Sequence, residues 1–192
     1  MSFGTTIIKQ YDIATGEAED VMLPSFKKYA MCNLRGGIGK TTLSFNLSYL
    51  TDNLLMVDTC PQGNLSYFYD NQYYSSGAVN VRDMIIPHLI PGLGKATHVA
   101  AYIGATNKYF DGKNSYYIPS SEELYLLPSQ LNTAINQALG LPNDLRNEAL
   151  TNILYSLNTE IDREMKEIGV DKCIIDTSPF FAGATQLSWY AA

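Results

Sequence analysis

The chain is poor in cysteine, in basic residues and in long apolar runs. Its 192 residues hold 3 cysteines, Cys32, Cys60 and Cys173, with no C-x-x-C spacing. So sparse and odd a count argues against a disulfide framework and fits a reducing compartment. Cys32 and Cys173 fall in apolar strand segments and read as small buried residues. Thirteen Lys and Arg against 19 Asp and Glu leave a formal net charge of −6. No cluster of cations marks a nucleic-acid surface, because Lys27-Lys28 precede the first strand and Lys108 and Lys113 stand isolated. No apolar run approaches the ~20 residues of a membrane span. Met1-Ser2-Phe3-Gly4-Thr5-Thr6 lacks the basic-then-apolar layout of a signal peptide, so a cytoplasmic location is the default. His88 and His98 have no metal-like company, and there is no internal repeat or low-complexity tract. What is present, 46% hydrophobic residues, suffices for one α/β core.

The most informative stretch is Arg35-Gly36-Gly37-Ile38-Gly39-Lys40-Thr41-Thr42, directly after the apolar run Tyr29 to Leu34. A strand, a glycine-rich turn and Lys-Thr opening a helix form a cradle for the phosphates of a nucleoside triphosphate. The glycines let successive N–H groups point at one anion, and the helix adds the positive end of its dipole. Lys40 is placed to reach the β- and γ-phosphates and Thr41 to offer its hydroxyl to Mg²⁺. The common G-x-x-x-x-G-K-[ST] pattern would need glycine where this chain has Leu34. The loop instead resembles the deviant loop K-G-G-x-G-K-[ST] of the ParA/MinD superfamily of deviant Walker A ATPases, with Arg35 in place of the signature lysine.

Two further segments follow in the order that superfamily has. Leu54-Leu55-Met56-Val57-Asp58-Thr59-Cys60-Pro61-Gln62-Gly63-Asn64 is an apolar strand delivering a carboxylate to the sheet edge. It resembles the D-x-D-P-Q-G-N switch segment, in which Asp58 matches the first aspartate, expected to bind water of the Mg²⁺ shell. Cys60 replaces the second aspartate, which the resemblance assigns to orienting the attacking water, so hydrolysis is expected to be slow. Asp171-Lys172-Cys173-Ile174-Ile175-Asp176-Thr177-Ser178-Pro179 resembles the Walker B segment, where Asp176 would hold Mg²⁺ through water opposite Thr41. Leu124-Tyr125-Leu126-Leu127-Pro128-Ser129 looks like the family strand that ends in Pro-Ser.

The resemblance implies a P-loop NTPase-like fold, a mostly parallel sheet with helices on both faces. It covers residues 28–192, the amino-terminal part of a ParA/Soj-like partition ATPase. Residues 180–192 look like a helix that relatives follow with further strands. The chain is therefore expected to be truncated at its carboxyl end, to expose an apolar strand edge, to dimerise or aggregate, and to bind ATP weakly or not at all. The implied cofactors are ATP and Mg²⁺, with Gly36, Gly37, Ile38, Gly39, Lys40, Thr41 and Thr42 around the phosphates. The implied metal residues are Thr41, Asp58 and Asp176, and the implied catalytic residues are Arg35, Lys40 and Asp58. The implied partners are a second copy in a homodimer, with Arg35 reaching its phosphates, a ParB-like activator, and non-specific DNA through the carboxyl-terminal half. A guanidinium keeps the charge of the signature lysine but is bulkier and planar. Two alternatives stand beside this switch. One is a scaffold that binds nucleotide and has lost hydrolysis. The other is a metabolic branch related to nitrogenase iron protein or cobyrinic acid diamide synthase.

Elsewhere the pattern is structural. Residues 6–24 read as two extended segments around Ala14-Thr15-Gly16, a hairpin within an extension over residues 1–27. Thr42 to Tyr49 continue the helix after the loop, with Leu43, Leu47 and Leu50 as its apolar stripe. Val81 to Ile86 predict a short helix. Pro142 opens one long helix, roughly 143–168, with Leu150, Ile153, Leu154, Leu157, Ile161, Met165 and Ile168 at helical spacing. The tyrosine-rich residues 67–120 read as packing of a helix and loops over the sheet, with an aromatic surface for a protein or nucleic-acid partner as the alternative.

Overall fold

The computed structural model describes residues 26–73, 77–90, 92–94, 98–180 and 183–192, with Thr15 before them. Thr15 apart, the hairpin expected over 6–24 lies outside the described residues. Five strands form one sheet: β1 (Lys28–Met31), β2 (Leu54–Asp58), β3 (Ala101–Tyr102), β4 (Ser115–Ile118) and β5 (Lys172–Asp176), in the order β1-β5-β2-β4-β3. The pairs β1/β5, β5/β2 and β2/β4 are parallel, and β3 runs antiparallel to β4 at the edge. The described residues include seven α-helices: α1 (Lys40–Leu50), α2 (Asn64–Tyr69), α3 (Val81–Leu89), α4 (Leu127–Leu139), α5 (Asn143–Leu154), α6 (Ser156–Ile168) and α7 (Gly183–Ala191). No helix among the described residues is long and apolar enough to cross a membrane.

A parallel sheet buried on both faces needs apolar residues at consecutive positions, and the central strand supplies them. Leu55 and Val57 join Cys173 and Ile175 in a core under α3, α4, α6 and α7, filled by Met84, Leu127, Leu157, Ile161 and Leu187. Leu54, Met56 and Ile174 face the opposite way, against Leu65, Tyr69, Phe110 and Phe45. The fold class is thus the one the resemblance implied. Asn80 starts α3 with a capping box. Its Oδ1 accepts from Arg82 N–H at 3.0 Å, and Asp83 accepts from Asn80 N–H at 3.1 Å.

Two expectations differ from the structure. Residues 124–129 are not a strand: Glu122–Leu126 form a 3₁₀ turn and α4 begins at Leu127. The strand leading into Pro-Ser is β4, followed by Pro119-Ser120. The long helix over 143–168 breaks at Tyr155 (φ −95°, ψ 11°) into α5 and α6. The break lets α5 pack on α4 while α6 packs on α3 and α7. The Tyr155 ring meets the Tyr190 ring of α7 edge-on, centroids 5.5 Å apart.

The apolar stripe expected on α1 is also displaced, because Leu43 and Leu50 are exposed while Ser44 and Ser48 are fully buried. Small side chains bring α1 close to the sheet, and both hydroxyls find partners, with Tyr69 OH donating to Ser48 Oγ at 2.6 Å. Leu55→Ala is expected to cost about 2–5 kcal/mol of unfolding free energy as a core cavity. Leu50→Ala should stay within about 0.5 kcal/mol. Urea denaturation of both variants checks the assignment, and a large loss at Leu50 would contradict it.

Candidate functional site

Parallel strands deliver their carboxyl ends to one edge, and the register places Met31, Asp176 and Asp58 side by side there. Two threonines sew these ends together. Thr59 donates its N–H (3.0 Å) and its hydroxyl (2.9 Å) to the Asp176 carbonyl, and Thr177 donates its hydroxyl to the Met31 carbonyl at 2.8 Å.

From β1 the chain turns through residues 32–39 into α1. Asn33 Oδ1 accepts from Arg35 N–H at 2.8 Å and starts the turn. Gly37 and Gly39 take φ of 71° and 86°, a left-handed backbone that side-chain-bearing residues rarely adopt. A Cβ built at either would meet nothing within 4 Å, so these two glycines are required by backbone angle rather than by crowding. No side chain caps the start of α1, whose first N–H groups are therefore available to an anion. A cavity of about 510 Å³ opens here, lined by residues 36–42, Cys60, Gln62, Asn64, Thr177, Pro179 and Phe180. Every residue expected around the phosphates lines it. Arg35 is exposed next to this lining.

Two buried carboxylates lie at the strand ends behind the loop. Asp176 Oδ2 accepts from Thr41 Oγ1 at 2.7 Å and Oδ1 from Ser44 Oγ at 2.9 Å. Burial pushes its carboxyl above the usual range, opposed by these two hydroxyls and by the charge of Lys40. Asp58 Oδ1 accepts from Cys60 N–H at 3.0 Å, and Oδ2 from Ser66 N–H at 2.9 Å and Ser66 Oγ at 2.8 Å. Burial first, then the neighbouring Asp176, push Asp58 up to about 7 against those donors. Burial likewise pushes the Cys60 thiol up to about 11, leaving it neutral and a poor base at neutral pH. Thr41 lines the cavity, and Asp176 bonded to it and the neighbouring Asp58 lie buried behind it, three hard oxygen donors that as a set fit Mg²⁺.

Sequence reasoning missed Ser44 and Ser66, which hold these carboxylates, and Thr59 and Thr177, which tie the strand ends together through backbone carbonyls. Only Ser44, three positions after Thr41 on the same helix face, carries a local signal. Cys32 is exposed rather than buried, lying beyond β1 where Trp189 Nε1 donates to its sulfur at 2.9 Å. His98 does have acidic company, its Nδ1 3.1 Å from Glu164 and 3.8 Å from Glu167. Glu164 is already engaged there, accepting from Val99 and Ala100 N–H and from Arg163, so it anchors a loop. His88 is buried between Asn152 and Glu160.

A family model described as an AAA domain, AAA_31, matches residues 26–192. No curated protein sequence matches significantly. Among solved structures, protein DIP2308 from Corynebacterium diphtheriae superposes with a TM-score of 0.63 at 16% identity, over 87% of this chain and 56% of that one. Cobyrinic acid a,c-diamide synthase from Mycobacterium smegmatis with bound ADP and magnesium gives 0.60 at 21% identity, over 88% and 57%. The ATP complex of a McdA variant from Cyanothece gives 0.57 at 22% identity, over 87% and 54%. The chain thus spans little more than half the length of these structures.

The raised Asp58 sets a pH dependence. A carboxyl whose folded value lies above its unfolded 3.8 favours the folded state while protonated. Its contribution is complete below about pH 4, declines as pH rises and is gone above about 7. Each pH unit between those two values is worth about 1.4 kcal/mol. Between pH 5 and 7 the wild type should lose stability relative to Asp58→Asn, measured by denaturant unfolding. Parallel pH profiles for the two proteins would contradict the assignment.

Proposed function

Because the chain belongs to the AAA_31 family of AAA domains, we propose that it is a ParA/MinD-like ATPase that binds ATP with Mg²⁺ at the 35–42 loop and serves as an ATP-dependent dimerisation switch in plasmid or chromosome partitioning. The observation that carries the reading is the Asp176 carboxylate held by Thr41 and Ser44 directly beneath an uncapped, glycine-lined helix start. Backbone N–H groups of 36–42 bind the phosphates, and Lys40 adds a charge that reaches the outer ones. Thr41 offers its hydroxyl to the cation, and Asp176 and Asp58 orient its water ligands. When bound, the cation neutralises charge that develops on the phosphates during transfer. Arg35, exposed beside the cavity, is free to meet the phosphates of a second copy across a dimer interface. A ParB-like activator and non-specific DNA are the partners this reading implies.

A second reading, a nucleotide-binding scaffold with impaired hydrolysis, is favoured by one observation. The residue at the water-orienting position is a buried, neutral thiol. The metabolic branch has a structural neighbour in cobyrinic acid a,c-diamide synthase, and that likeness bears on fold alone.

One assay separates these. Binding of fluorescent ATP, ADP and AMP analogues with Mg²⁺ should rank by phosphate number, and Lys40→Ala should weaken ATP by at least about tenfold, the loss of a charge-assisted contact. Phosphate release measured on the same samples distinguishes the switch, which turns ATP over, from the scaffold, which binds without turnover. Equal binding by wild type and Lys40→Ala would overturn both.

A further inference from the structure

Asp58 belongs to a closed ring of hydrogen bonds that the phosphate-loop motif does not specify. Its Oδ1 accepts from Cys60 N–H, and its Oδ2 accepts from both the N–H and the hydroxyl of Ser66. The Ser66 oxygen in turn accepts from Ser120 N–H at 2.9 Å, and the Ser120 hydroxyl donates to the Cys60 carbonyl. All four residues are buried, so water does not compete for these bonds. The ring exists because β4 lies beside β2, which brings Pro119-Ser120 against the segment after Asp58. The far side is fixed as well, since Pro119 O accepts from Val81 N–H at the start of α3 at 2.9 Å.

The donor count gives the ring a consequence. A carboxylate offers about four lone-pair sites. Ser66 fills both on Oδ2 and Cys60 fills one on Oδ1, which leaves one site on Oδ1. A hydroxyl has a single proton, and Ser66 commits it to Asp58 while its oxygen takes the Ser120 N–H. Ser66 cannot turn without orphaning the buried Ser120 N–H, which costs about 1–3 kcal/mol.

We propose that Ser66, locked by Ser120, is a positioning residue for cation binding. It orients the Asp58 carboxylate so that one lone pair on Oδ1 remains for a water of the nucleotide's Mg²⁺ shell. The proposal rests on the nucleotide reading above and adds the device that aims one of its carboxylates. Removing an outer partner that orients a metal-binding group commonly costs about 10–100-fold in metal affinity. Asp176 is held from the other side by Thr41 and Ser44, so the two carboxylates are aimed by different elements.

Fluorescent ATP titrated in EDTA and then with rising MgCl₂ tests this in the 192-residue chain. Ser66→Ala should raise the magnesium concentration at half-saturation by at least about tenfold and leave binding in EDTA within about twofold. Ser66→Thr, which keeps the hydroxyl, should restore the wild-type value. Ser120→Ala keeps the Ser66–Asp58 bonds and the Ser120 backbone N–H that locks Ser66, so its magnesium dependence should stay close to wild type. Ser66→Cys, whose thiol is a weak donor, should shift as Ser66→Ala does and carries the test if that variant does not fold. A wild-type magnesium dependence in the Ser66→Ala or Ser66→Cys variant overturns the proposal, as does an equal loss with and without magnesium, which marks a merely structural role. No nucleotide binding by the wild type in either condition would sink the nucleotide reading, and the proposal with it.

Discussion

The Asp176 carboxylate tied to Thr41 and Ser44 holds the loop and its helix onto the sheet. Asp176 ends β5, and β5 lies between β1, which feeds the loop, and β2, which ends in Asp58. Both hydroxyls come from the first turns of α1, so the two bonds set where that helix begins and where its free N–H groups point. The buried serines on the inner face of α1 follow from the same constraint. A leucine at position 44 could not donate to a carboxylate, and it would push the helix away from the strand end that the cradle needs.

Electrostatics shape the rest of the site. Two carboxylates end adjacent strands, both buried, and burial is the main reason both resist ionisation. Hydroxyls, backbone N–H groups and Lys40 offset part of that cost. A divalent cation would offset far more, because an opposite charge nearby favours the ionised form. Cys60 adds no third negative charge here. That makes the resting site less repulsive, and it removes the carboxylate that related segments carry at that position.

The chemistry that is contiguous in sequence was legible; the chemistry assembled by the fold was not. Residues 35–42 could be read as a cradle because a glycine turn and a helix start are local events, and each aspartate closes a continuous apolar run. Ser44 and Asp176 are 132 positions apart, and Ser120 and Ser66 are 54 apart, so nothing short of the strand order reveals either pair. The misplaced strand has a physical cause as well. Two segments beyond residue 100 lead into Pro-Ser, and the one rich in leucine became a turn and helix, while Tyr116-Tyr117-Ile118 has the aromatic and β-branched side chains that suit a sheet. The break at Tyr155 carries no glycine or proline, and only packing against separate helices explains it.

The central claim is that this sheet edge holds a nucleotide by its phosphates with a cation beside Thr41. A crystal structure of the protein with Mg²⁺ and a slowly hydrolysed ATP analogue tests it most directly. The account predicts phosphates over the N–H groups of residues 36–42, and a cation bound by the Thr41 hydroxyl with its waters on Asp58 and Asp176. A nucleotide seated elsewhere, or a cation away from Thr41, would contradict it.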